Sequence, residues 1–94
     1  MAKYAYHRLD ANHKAIVAGL RQRGASVHSG GPLDVIVGLG GATYLLEIKT
    51  ARGRLRASQA AFLDSWRGQA CVVRTLEEAL AAIGCHGGRG KSGR

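Results

Sequence analysis

The chain has 94 residues, enough for one small domain and too few for two. Fourteen Lys and Arg against six Asp and Glu give a net charge of +8 and a pI near 10.4; a bias that strong favours a polyanionic partner, with nucleic acid first, over a solubilising surface alone. No apolar run approaches the ~18 residues of a membrane span, and the N-terminus lacks a signal-peptide core. A cytoplasmic chain with no membrane partner and no small-molecule substrate is therefore expected, and the 46% apolar share is sufficient for a packed core.

Residues 9–23 place Leu9, Ile16, Val17 and Leu20 at roughly helical spacing. The basic end Arg21-Gln22-Arg23 followed by Gly24 suits a helix C-terminus. Residues 25–29 are a short strand candidate, broken by Gly30-Gly31-Pro32. Residues 33–39 are apolar and β-branched with one acid, Asp34, and Gly40-Gly41 reads as a hairpin turn into a second strand at 42–50. The near-continuous apolar stretch of that strand predicts a central place in the sheet.

A basic loop, 51–57, leads to a helix through 59–68, capped by Ser58 or the residues just before it. Its expected inner face is Ala61, Phe62, Leu63 and Trp66. Residues 69–74 form the last strand. Thr75 with Glu78 three residues on is a capping-box pattern opening a helix that ends at Gly84. The order α-β-β-β-α-β-α predicts an α/β domain over residues 1–83, with one mixed central sheet flanked by helices. The Gly-rich basic tail, 84–94, is expected to be disordered.

The chemistry gathers around two strands. Glu47 and Lys49 are two apart, so they share one strand face. A turn centred on Gly40 and Gly41 sets Asp34 opposite Glu47, with Cβ atoms ~5 Å apart. An ordinary ion pair accounts for Glu47 with Lys49 and leaves Asp34 without a partner. A divalent cation accounts for both acids, since Mg²⁺ takes one or two carboxylates plus waters and substrate phosphate. It also gives Lys49 a bound water or a charged transition state to act on.

These residues carry a resemblance. "GGPLDVIVG" followed by "YLLEIKT" resembles the PD-(D/E)xK nuclease superfamily. The later Gln59 and the closing "RGQACVVRTLEEAL" look more like its VRR-NUC branch and small phage or archaeal Holliday-junction resolvases. Roughly residues 8–83 are covered, but the sharp motifs are only the Asp, the ExK and the Gln. Leu33 separates Pro32 from Asp34, a departure that touches a turn residue and no chemistry.

The resemblance implies a restriction-endonuclease-like core, dependence on Mg²⁺ with Mn²⁺ as a substitute, and hydrolysis of DNA phosphodiesters. It makes Asp34, Glu47 and the Ile48 backbone carbonyl metal ligands, and Lys49 the catalytic lysine. Gln59 would lie beside the site, or else be an exposed residue at a helix start. Many relatives add an acid from the first helix; Asp10 is the only candidate, and would otherwise interact with backbone N–H groups at the helix start. Asn12 and His13, within a turn of it, are candidates to contact phosphate or water.

Arg52, Arg54 and Arg56 alternate, so in an extended segment they project to one side as clamps on DNA phosphates; a solvated loop is the alternative. Resolving a four-way junction takes two symmetric cuts, so one site per chain implies a homodimer, through the Trp66 helix or the last helix. Other readings are a nuclease nicking other DNA forms in a phage replication or packaging assembly, acting in the bacterial host cytoplasm, and a non-catalytic DNA-binding module.

Two further patterns carry nothing. "GRGKS" (88–92) lacks the first glycine of a P-loop, since Cys85 stands there, and no strand precedes it. Cys71, Cys85 and His86 lack zinc spacing, and no CxxC is present, so both cysteines read as free thiols in a reducing compartment, Cys71 as core.

Overall fold

The computed structural model describes residues 11–84, so Leu9, Asp10 and the 85–94 tail, with Cys85, lie outside it. The chain runs α1 (Ala11–Gln22), β1 (Ser26–Ser29), β2 (Val35–Leu39), β3 (Ala42–Ile48), α2 (Ala57–Ser65), β4 (Ala70–Val73) and α3 (Leu76–Ala82). The sheet order is β1-β2-β3-β4. The first two pairings are antiparallel and β3 pairs with β4 in parallel, so the small α/β unit has a mixed sheet with β3 inside it.

The β2–β3 register follows from the turn. Gly40 and Gly41 have φ of +60° and +82°, the backbone that a two-residue hairpin of the right twist demands and side chains resist. Leu39 then faces Ala42, and the ladder runs to Val35 opposite Leu46. Extended by one residue, it sets Asp34 across from Glu47, although Asp34 itself lies just before β2 begins.

Alternation along the strands separates two faces. Val35, Val37, Leu46, Ile48 and Val73 point into the core, where they meet Ile16 and Leu20 of α1 and Ala79, Leu80 and Ile83 of α3. The two helices approach closely at Gly19: a Cβ there would lie 2.4 Å from Leu76 Cδ2. Cys71 packs against this core, half-buried and with a free thiol, as expected. Thr75 Oγ1 accepts the Glu78 N–H at 3.0 Å, the expected cap of α3. The Glu78 carboxylate reaches one residue further back than a capping box requires, to the Arg74 N–H at 2.7 Å.

The opposite face carries Asp34 and Glu47, and α2 reaches it through Gln59. Here the sequence-based expectation fails. The buried residue of α2 is Gln59, not an apolar stripe. Phe62 and Leu63 are half-buried, Ala61 is exposed, and Trp66 is 46% exposed. Phe62 and Trp66 stack on each other, centroids 5.1 Å apart, because residues four apart on a helix are neighbours. The cap of α2 is Arg56, two residues before Ser58, and the helix is over at Ser65. Among the described residues, no helix is long and apolar enough to cross a membrane.

Candidate active site at the ends of β2 and β3

Glu47 is the hub. It is 2% exposed, on the face of β3 away from the main core. Its Oε2 receives the Gln59 amide at 2.7 Å and the Lys49 ammonium at 3.2 Å. Burial, then the neighbouring charge of Asp34, push the Glu47 carboxyl above the ordinary value of 4.5; Lys49 pulls it back down. Lys49 remains accessible, its side chain 17% exposed, so it bridges a buried carboxylate and solvent.

Asp34 is not left without a partner, which corrects the expectation from spacing. Its Oδ2 accepts the Ile48 N–H at 2.9 Å. This places a carboxylate where β2 would otherwise supply a backbone acceptor, and draws Asp34 to the end of β3. In a strand, one residue's N–H and C=O leave on the same edge. The Ile48 carbonyl therefore departs on the Asp34 side.

The backbone under Lys49 is held from two directions. Its N–H donates to the Val73 carbonyl at 3.0 Å. Its carbonyl accepts the Asn12 amide at 2.9 Å, and the same Asn12 nitrogen reaches the Arg74 carbonyl at 3.2 Å. Asn12 thus ties the start of α1 to the ends of β3 and β4. Its amide nitrogen is taken up by backbone, so Asn12 serves as a structural pin. Gln59 is similarly bifunctional: its Oε1 accepts the Arg56 N–H at 2.8 Å, capping α2, while its amide holds Glu47.

Sequence reasoning passed over Arg74. Its Nη1 donates to the carbonyls of Thr50 at 2.6 Å and Gly53 at 2.8 Å. Thr50 and Gly53 also close a tight turn, Gly53 N–H to Thr50 C=O at 3.1 Å. So the segment after Lys49 folds back under Arg74 and is not extended throughout. Arg52 sits inside that turn, and Arg54 and Arg56 follow it. All three are exposed, and Gly53 and Leu55 between them are half-buried. The signal for Arg74 was weak: it is one arginine among many, and its partners are backbone carbonyls more than twenty residues away.

Asp34, Glu47, Lys49 and Gln59 are therefore brought together, with the Ile48 carbonyl on the same edge. Asp10 lies outside the described residues. Among those described, no group of three or more His, Cys, Asp or Glu side chains gathers as a metal cage. A pair of adjoining carboxylates with a backbone carbonyl is nonetheless the kind of oxygen donor set that suits Mg²⁺, which keeps several waters. Comparison with protein families, with curated proteins and with solved structures finds no match to the chain.

Proposed function

We propose that the chain is a metal-dependent endodeoxyribonuclease with a restriction-endonuclease-like core of the PD-(D/E)xK type. The observation that carries this reading is the buried Glu47, pressed against Asp34 and bridged to Lys49, whose side chain keeps 17% of its surface exposed. Two adjoining carboxylates raise each other's energy when both are charged. A fold seeking only stability gains nothing from burying one of them, whereas a divalent cation relieves the conflict. Mg²⁺ or Mn²⁺, when bound, would polarise the scissile phosphate and lower the pKa of a coordinated water.

The residues of the chain supply the rest. Asp34 and Glu47 offer carboxylate oxygens, and the Ile48 carbonyl offers a neutral one. Gln59 fixes the rotamer of Glu47. Lys49, anchored at both its backbone groups, holds a positive charge at the solvent edge, where it can orient a water or stabilise charge developing on the phosphate. Arg52, Arg54 and Arg56, exposed beside the site, are suited to bind DNA phosphates. The net charge of +8 favours the same partner.

We further propose action as a homodimer on branched DNA, in the manner of a junction resolvase. The exposed Trp66, stacked on Phe62, supports α2 as the contact. Cleavage of labelled four-way junctions, flaps, duplexes and single strands with Mg²⁺, Mn²⁺, Ca²⁺ or EDTA tests the reading. Paired symmetric cuts confined to junctions are expected. Cuts in other forms point to a nicking enzyme, and binding without cuts in any metal points to a DNA-binding module. Cleavage surviving in EDTA overturns the metal dependence, and light scattering that finds a monomer on DNA overturns the dimer.

A further inference from the structure

A second basic feature lies apart from the carboxylate cluster. A cavity of about 290 Å³ opens between α1 and β1, lined by His13, Lys14, Val17, Ala18, Arg21 and Ser29. Positions 14, 17/18 and 21 recur at helical spacing, so α1 presents one continuous stripe to it. Lys14 and Arg21 stand one on each side of the small apolar floor. Arg21 is fixed in place: its Nη2 donates to the Val27 carbonyl of the edge strand at 3.0 Å.

The charge of this region is one-sided. Between Asp10 and Asp34 the chain contains no acid at all, while it contains Lys14, Arg21 and Arg23. Neither α1 nor β1 therefore offers a carboxylate to neutralise the cavity. A cationic groove with polar rims and an apolar base suits the phosphates and sugars of a nucleic-acid strand.

Its position connects it to the site. His13 follows Asn12, whose amide binds the Lys49 carbonyl. Ser29 pairs with Val35, the neighbour of Asp34, and Gly30 N–H donates to the Asp34 carbonyl at 2.9 Å. Two separate elements thus tie the groove to the backbone at the ends of β2 and β3, whose other face carries the reacting cluster. From His13 to Arg21 the helix rises ~12 Å, enough for more than one phosphate of a strand.

We infer that the α1–β1 groove binds the phosphate backbone of the DNA strand beyond the scissile bond, with Lys14 and Arg21 as the contacts. The inference rests on the nuclease reading for its substrate, but DNA binding and cleavage are separable by experiment. The Lys49→Ala protein, in EDTA, is titrated with a short labelled duplex at salt from about 50 to 200 mM, and the slope of log affinity against log salt is read. Adding Lys14→Ala and Arg21→Ala should reduce that slope by about 2, equivalent to a roughly tenfold weaker salt effect across the range. Arg23→Ala with Arg67→Ala removes the same charge outside the groove and should reduce it by less than about 1. Lys14→Glu, on an exposed side chain, guards against misfolding of the double variant and should weaken binding further than Lys14→Ala.

Equal slopes for the two double variants, or an unchanged slope for the groove variant, overturn the groove while leaving cleavage by the wild-type chain intact. The expected slope change together with a wild-type chain that never cuts overturns the nuclease reading and keeps the groove. Absence of any DNA binding overturns both.

Discussion

Replacing Gln59 tests how the candidate site is built. Gln59 is the buried residue of α2, and it makes two bonds, one to the Arg56 N–H at 2.8 Å and one to Glu47 Oε2 at 2.7 Å. The helix has no acid in its first turn to share the capping. Loss of the cap costs about 1 kcal/mol. Loss of a hydrogen bond to a buried carboxylate costs about 1.5–3 kcal/mol. Gln59→Ala should therefore destabilise the chain by about 2.5–4 kcal/mol, a large part of the ~5–15 kcal/mol that holds a domain together.

Gln59→Glu separates the two contributions. It keeps an acceptor for the Arg56 N–H, but sets a further carboxylate against Glu47. At neutral pH it should be at least as unstable as Gln59→Ala, and the deficit should shrink in acid as the carboxylates protonate. Urea unfolding followed by circular dichroism, at neutral and acidic pH, reads both variants. A Gln59→Glu protein as stable as wild type at neutral pH would refute the view that Gln59 meets an ionised Glu47.

The Glu47 carboxyl also sets a pH dependence. Its folded-state pKa is raised, so the folded chain binds this proton more tightly than the unfolded chain. This contribution to stability is full below about 4.5 and is lost as pH rises through the raised pKa. Glu47→Gln should remove that decline and match or exceed wild-type stability at neutral pH while losing cleavage; unfolding midpoints across the pH range check the sign. Arg74→Ala should free the Thr50–Gly53 turn, at about 1–3 kcal/mol for charged-donor bonds to carbonyls. Hydrogen exchange at the Gly53 amide should speed up while the β3 amides stay protected.

Much of this arrangement was legible in the sequence, because it depends on local rules. Two glycines at 40 and 41 fix a hairpin register, and that register alone aligns Asp34 with Glu47. The unbroken apolar run before Glu47 marks an interior strand, and Thr75 marks the start of α3. What escaped depends on contacts distant in the chain. Asn12 and Arg74 act on backbone carbonyls 21 to 62 residues away, and a carbonyl has no letter in the sequence.

The inner face of α2 was misread for a different reason. Its apolar residues are spread around the helix, so no stripe singles out a face, and the side chain that docks it is polar. Gln59 is buried because Glu47 is, and Glu47 is buried because β3 lies inside the sheet. Trp66, counted toward the inner face, instead stands out beside Phe62.

The central claim is that Asp34, Glu47 and Lys49 form one hydrolytic centre. Its most direct test is cleavage and DNA affinity measured side by side for wild type, Lys49→Ala and Asp34→Ala in Mg²⁺. Each variant should lose about 100-fold or more in cleavage rate, as removal of a charge-stabilising group does, while binding DNA nearly as well as wild type. Wild-type cleavage rates in either variant would contradict the claim.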